Sequence, residues 1–93
     1  MIFRVLAYKD LKLNCFSTPI FERDLSDQDI IESTRRMCSH PKFDKNMFDY
    51  DLYSLGRFDD KTGDFIECSV QFLVSLGDFR NLAESEKGES VCS

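Results

Sequence analysis

Residues 51–65, Asp51-Leu52-Tyr53-Ser54-Leu55-Gly56-Arg57-Phe58-Asp59-Asp60-Lys61-Thr62-Gly63-Asp64-Phe65, decide the fold. Strand-forming residues run from Asp51 to Phe58, and a second apolar-rich run continues from Phe65 to Val74. In that second run Ile66, Cys68, Val70, Phe72 and Val74 are all apolar, the period-two pattern of a strand with one buried face. Between the runs lies Asp59-Asp60-Lys61-Thr62-Gly63-Asp64, where Asp initiates a turn and Gly63 supplies the positive φ of a bulged hairpin connection. The segment therefore predicts an antiparallel β-hairpin.

Upstream, Ile2 to Tyr8 is rich in β-formers and predicts a first strand, closed by the polar group Lys9, Asp10, Lys12 and Asn14. Residues 15–22 predict a second extended segment. Pro19 has no backbone N–H to give a sheet ladder, so this piece belongs at an edge or in an irregular loop. Ser26 is placed as a helix N-cap, with Asp27 and Asp29 in the first turn and Leu25 and Ile30 as a hydrophobic staple. A helix follows from Asp27 to Cys38. Its buried stripe is Ile30, Ile31, Thr34, Met37 and Cys38, with Glu32, Arg35 and Arg36 on the outer side. Pro41 stops it. Residues 42–50 mix charge with Phe43, Met47, Phe48 and Tyr50 without a period and predict a packed loop. After Val74, Ser75 to Asp78 predicts a break and Phe79 to Leu82 one closing helical turn.

The expected fold class is α+β, a small, mostly antiparallel sheet of three to five strands with one main helix packed on one face. Residues 1–83 form the single domain, and residues 84–93, rich in Glu, Ser, Lys and Gly, form a disordered polar tail. A chain of 93 residues with 42% hydrophobic content has material for one core and no more. Charge appears at Arg4, Lys9 and Asp10, too early for a secretory signal, and no apolar run approaches the roughly 20 residues of a membrane span. The chain is expected to be soluble, without membrane contact, and cytoplasmic.

Candidate chemistry is sparse. Cys15, Cys38, Cys68 and Cys92 are widely spaced, with no Cys-x-x-Cys pair, so they read as reduced thiols and no metal site is expected. Asp59, Asp60 and Asp64 beside Gly63 lack the ligand spacing of a calcium loop, and turn formation accounts for them. His40 is the only histidine, and its neighbours Cys38, Ser39 and Asp44 are close in sequence past a helix end without forming a triad. Neither a cofactor nor catalysis is expected, and the chain is expected to act by binding other macromolecules. Its net charge of −5 argues against a surface built wholly for phosphate, so any nucleic-acid site must be local. The one basic cluster is Arg35, Arg36, His40, Lys42 and Lys45, with Phe43 and Phe48 beside it, and cations interleaved with aromatic rings suit single-stranded nucleic acid. Core packing of those rings at a solvated helix end is the simpler explanation of the same residues.

Three further features carry a family resemblance: the pattern Asp10-x-Lys12-x-x-x-Phe16-x-x-Pro19-x-Phe21, the His40-Pro41 pair after the helix, and the run from Asp51 to Phe65 with its Asp-Asp-x-Thr-Gly turn. Over about residues 2–79 the chain resembles the small nonstructural or DNA-binding protein of gokushoviruses, single-stranded-DNA bacteriophages of the Microviridae. The resemblance implies a phage accessory protein acting in the host cytoplasm when single-stranded DNA is synthesised or packaged. Single-stranded DNA and a phage replication or capsid-assembly protein are the implied partners. No catalytic residue is carried over. Lys42-Phe43-Asp44 stands where the family places an acidic pair, which makes this chain locally more basic, and residues 84–93 have no counterpart. The leading reading is a DNA-binding accessory protein contacting DNA through Arg35 to Lys45. The other reading is an adaptor that binds a replication or assembly protein and never touches DNA.

Overall fold

The apolar opening of the chain forms the strand around which the sheet is assembled. In the computed structural model, which describes residues 1–80, β1 spans Ile2–Asp10, β2 Cys15–Phe16 and β3 Ile20–Arg23. These are followed by α1 (Asp27–Cys38), β4 (Tyr50–Asp59) and β5 (Asp64–Ser75). Short 3-10 turns, Lys45–Asp49 and Leu76–Phe79, close the two loops that flank the hairpin. The described residues thus form an α+β unit with a five-stranded antiparallel sheet and one α-helix. The expected tail, residues 84–93, and the second half of the closing turn lie outside the described residues.

β1 is the centre of the sheet. One of its edges pairs with β4 from Ile2↔Asp59 to Asp10↔Tyr50. The other pairs first with β3, from Phe3↔Arg23 to Leu6↔Ile20, and then with β2 through Lys9↔Phe16 and Asp10↔Cys15. β4 in turn pairs with β5, which forms the far edge. The extended segment expected at residues 15–22 is therefore two short edge strands interrupted at Pro19, where the missing N–H ends the ladder.

Alternation along β1 sends Arg4, Leu6 and Tyr8 to one face and Phe3, Val5, Ala7 and Lys9 to the other. Leu6 and its β4 neighbour Leu52 join Ile30, Cys38, Phe48 and Leu76 in one buried cluster, which makes this the core face. The helix contributes through the expected stripe: Ile30, Thr34 and Cys38 are buried, although Met37 is exposed. Its start is capped as expected, the Ser26 side chain accepting from the Asp29 N–H at 3.2 Å. Arg4 ties that start to the sheet, donating to the Leu25 carbonyl at 2.9 Å, to Asp27 Oδ1 at 2.8 Å and to Ser54 Oγ at 3.1 Å. The segment expected as a loop at residues 42–50 contains a 3-10 turn capped by Asp44, which places Phe48 in the core.

The strand Phe65 to Val74 departs from expectation. Ile66, Cys68, Val70 and Phe72 are exposed, and only Val74 of the expected buried face is even partly covered. The register explains it. Tyr53 opposes Phe72 and Leu52 opposes Val74, so adjacent residues of β4, which point to opposite faces, meet residues two apart in β5. Leu73 is the extra residue of a bulge, and further shifts near Gly56 and Phe58 scramble the period-two pattern again.

Gly56 and Gly63 both adopt positive φ, 140° and 75°, for different reasons. Gly63 turns the hairpin, with open space where a side chain would be. Gly56 sits where β4 and β5 approach so closely that an added Cβ would overlap the Glu67 carbonyl. Gly63→Ala should therefore cost about 1 kcal/mol from the backbone alone, whereas Gly56→Ala should cost about 3 kcal/mol or more, because the two strands must also separate. Urea melts of the two variants against wild type measure the difference; equal midpoints would mean that the close approach is absent.

Candidate functional site

The C-terminal end of α1 brings part of the basic cluster together. Arg36, His40 and Lys42 line one shallow concavity with Ser33, Met37 and Phe43. Ser39 caps the helix, its N–H and Oγ both donating to the Arg35 carbonyl at 3.1 and 2.9 Å; the His40 N–H then tightens the last turn by donating to the Met37 carbonyl, and Pro41 has no N–H to continue it. His40 Nδ1 accepts from the Lys42 N–H at 3.1 Å, which holds the bend. Lys45 begins the following 3-10 turn and is exposed, outside the concavity. Arg35 is engaged otherwise, its guanidinium meeting Glu32 Oε2 at 2.8 Å. That hydrogen bond and charge hold the Glu32 carboxyl below its ordinary value.

Cations without an ion-pair partner gather at this surface and occur elsewhere too, at Lys9, Arg23 and Lys61 among the described residues. Among the described residues, Arg4, Lys12, Arg35, Arg57 and Arg80 each lie within 4 Å of a carboxylate, whereas Arg36, Lys42 and Lys45 do not. The neighbouring rings are less available than the sequence implied. Phe48 is buried and Phe43 packs on it with ring centroids 5.2 Å apart, while Arg80 lies over Phe48 at 5.5 Å. Both rings belong to the core or its margin, so no row of free aromatic faces accompanies the cations.

A second surface was missed in the sequence. On the face of the sheet opposite the core, six rings from four strands form two ladders. Phe16, Tyr53 and Phe72 meet at 5.2 and 5.6 Å, and Phe21, Phe58 and Phe65 at 5.5 and 5.0 Å. Between the ladders lie Val5, Ala7 and Gly56, small residues that are buried among the larger side chains. Lys9 reaches over Phe16 at 5.7 Å and Tyr53 at 6.0 Å. The available signal was that every strand carries at least one phenylalanine, and it needed the strand register to become a surface.

Other titratable groups are explained by structure. Asp10 is held below its ordinary value chiefly by the Leu13 N–H, with help from the Lys12 N–H and Tyr50, in a turn after β1. Tyr50, donating to that carboxylate at 3.1 Å, is raised in turn, and burial raises Tyr8. No cluster of potential metal ligands occurs among the described residues, and no helix there is long and apolar enough to cross a membrane. Compared with known proteins, residues 3–79 match a family model described as Phage ORF5 protein. No curated protein and no solved structure matches the chain.

Burial pushes the Cys38 thiol from an ordinary value of 9.0 up to about 11. The unfolded chain therefore loses this proton first as pH rises. The associated stability is fully present below about pH 9 and is lost as pH climbs through about 11. Urea midpoints measured from pH 8 to 11 should fall, and Cys38→Ala, though less stable throughout, should lose the earliest part of that fall. The raised tyrosines leave the later part in both proteins. Superimposable pH slopes for variant and wild type would place the thiol in water.

Proposed function

The chain belongs to the Phage ORF5 protein family, and on that premise we propose that this phage accessory protein binds single-stranded DNA during viral DNA synthesis or packaging. In this reading the helix lies over the Leu6 and Leu52 face, and its C-terminal end carries the contact surface. The observation that supports it is the gathering of Arg36, His40 and Lys42 around one concavity, with Lys45 three residues further along the chain and, among the described residues, no carboxylate within ion-pair distance of the three Lys and Arg side chains. Phosphate oxygens supply the charge that these side chains lack, and release of condensed counterions supplies the driving force. Met37 and Phe43 offer an apolar floor against which one base or sugar can rest.

Three cations in a chain of net charge −5 make a weak, salt-sensitive site. The protein acts here as a binding component in the host cytoplasm, without catalysis. The net charge also favours the second reading, an adaptor that holds a phage replication or assembly protein by contacts other than DNA.

A salt titration of binding to a labelled oligonucleotide separates the two. Each phosphate contact contributes about 0.7 to the log–log slope for single strands, so Arg36→Ala, Lys42→Ala and Lys45→Ala combined should flatten it by about 2 and remove most of the affinity. The fold should survive, since all three side chains are exposed. Duplex DNA should bind no better. Wild-type protein with no single-strand affinity at low salt would leave the adaptor reading in its place.

A further inference from the structure

We propose that two copies of this chain pair through the aromatic face of the sheet, the ladders of one copy packed against those of the other. The first argument is area. Phe16, Phe21, Phe65 and Phe72 are 45%, 49%, 52% and 54% exposed on one side of one sheet. At about 200 Å² per ring side chain, these four leave roughly 400 Å² of contiguous apolar surface, more than isolated surface hydrophobics account for. Tyr53, Phe58, Phe3 and the stem of Lys9 border them and extend the patch toward the roughly 600 Å² per partner at which specific interfaces begin.

The second argument is charge. The strand register places Lys9, Arg23 and Asp51 on this face and sends Glu22, Arg57 and Glu67 to the other. Two cations against one carboxylate are too few for a run of phosphates, whereas a sparsely charged centre with both signs at its margin is what a self-complementary interface needs. Ring geometry points the same way. Within the ladders the interplanar angles are 79°, 77°, 87° and 58°, so successive rings stand steeply to one another and offer no row of parallel faces for bases. They stand above the buried Val5, Ala7 and Gly56, and a two-fold axis lets the rings of one copy interdigitate with those of the other. The pair is then a sandwich of two sheets about 10 Å apart.

The free edge of β5 is the weaker candidate for the same partner, because its bulges disrupt the regular ladder that strand pairing requires. The dimer leaves the Arg36, His40 and Lys42 surface outside the contact, so it stands independently of the DNA reading.

Sedimentation equilibrium of the full chain tests the proposal. Wild type should show twice the 10.8 kDa chain mass at tens of micromolar. Phe72→Glu should weaken the dimer by about 30-fold or more, as removal of a central interface ring does. Gln71→Lys, which alters an exposed residue of the same strand that opposes Ser54 on the other face, should leave the mass unchanged. The unmutated protein supplies a second readout. Cys68 opposes Gly56 on the aromatic face, whereas Cys15 opposes Asp10 on the other. Alkylation followed peptide by peptide should slow at Cys68 as protein concentration rises and stay constant at Cys15. A monomer at several hundred micromolar would overturn the proposal, as would a dimer in which Cys68 reacts at an undiminished rate. A monomer whose Cys68 is protected only by added oligonucleotide would assign the face to DNA.

Discussion

Four consecutive residues of β1, Arg4 to Ala7, are buried, and in a strand consecutive side chains point to opposite faces. This sheet must therefore be covered on both sides, and everything else in the molecule follows from how each side is covered. On one side Leu6 is buried with Leu52 and with the apolar stripe of the helix, and Arg4 finds three acceptors at the helix start. A guanidinium removed from water is costly unless its donors are used, so the Leu25 carbonyl, Asp27 and Ser54 act together. On the other side, among the described residues, Val5 and Ala7 are shielded by the rings beside them. Those rings remain half exposed because nothing in the described residues lies above them.

The two sides were unequally legible in the amino-acid sequence. The helix was readable to its ends, because Ser26, the early aspartates and Pro41 act locally and the stripe of Ile30, Thr34 and Cys38 has the helical period. The hairpin was readable from Asp59 to Asp64 for the same reason. The burial of β5 was misread, since one-residue bulges such as that at Leu73 reverse the facing of every residue beyond them and leave no mark in the pattern of apolar residues. The aromatic face was invisible because Phe16, Tyr53 and Phe72 become neighbours only once three separate strands are placed in register.

The basic surface lies between these cases. Its cations are grouped in the sequence, and the helix end and the His40 bend bring Arg36, His40 and Lys42 to one concavity. Ion pairing sorts the cluster in a way sequence proximity does not, since Arg35 meets Glu32 while Arg36 has no carboxylate within that distance among the described residues. Phe43 and Phe48 are equally close in sequence and are drawn into the core instead, Phe48 deeply. What remains is a small cationic patch on an acidic phage protein and, on a different face, a broad aromatic one. The first suits a ligand that supplies charge, and the second suits one that brings apolar area and little charge.

The central claim, that β1 is covered on both faces and organises the fold, is tested most directly by native-state amide hydrogen exchange read strand by strand. Exchange rates follow local opening, and the most deeply buried strand opens only with the whole molecule. The account predicts that the slowest amides lie between Arg4 and Ala7 and in their β4 partners, with those of β5 from Ile66 to Val70 exchanging much faster. Exchange through Val5 and Ala7 as fast as that at the β5 edge would mean that the aromatic side gives no cover, and would contradict it.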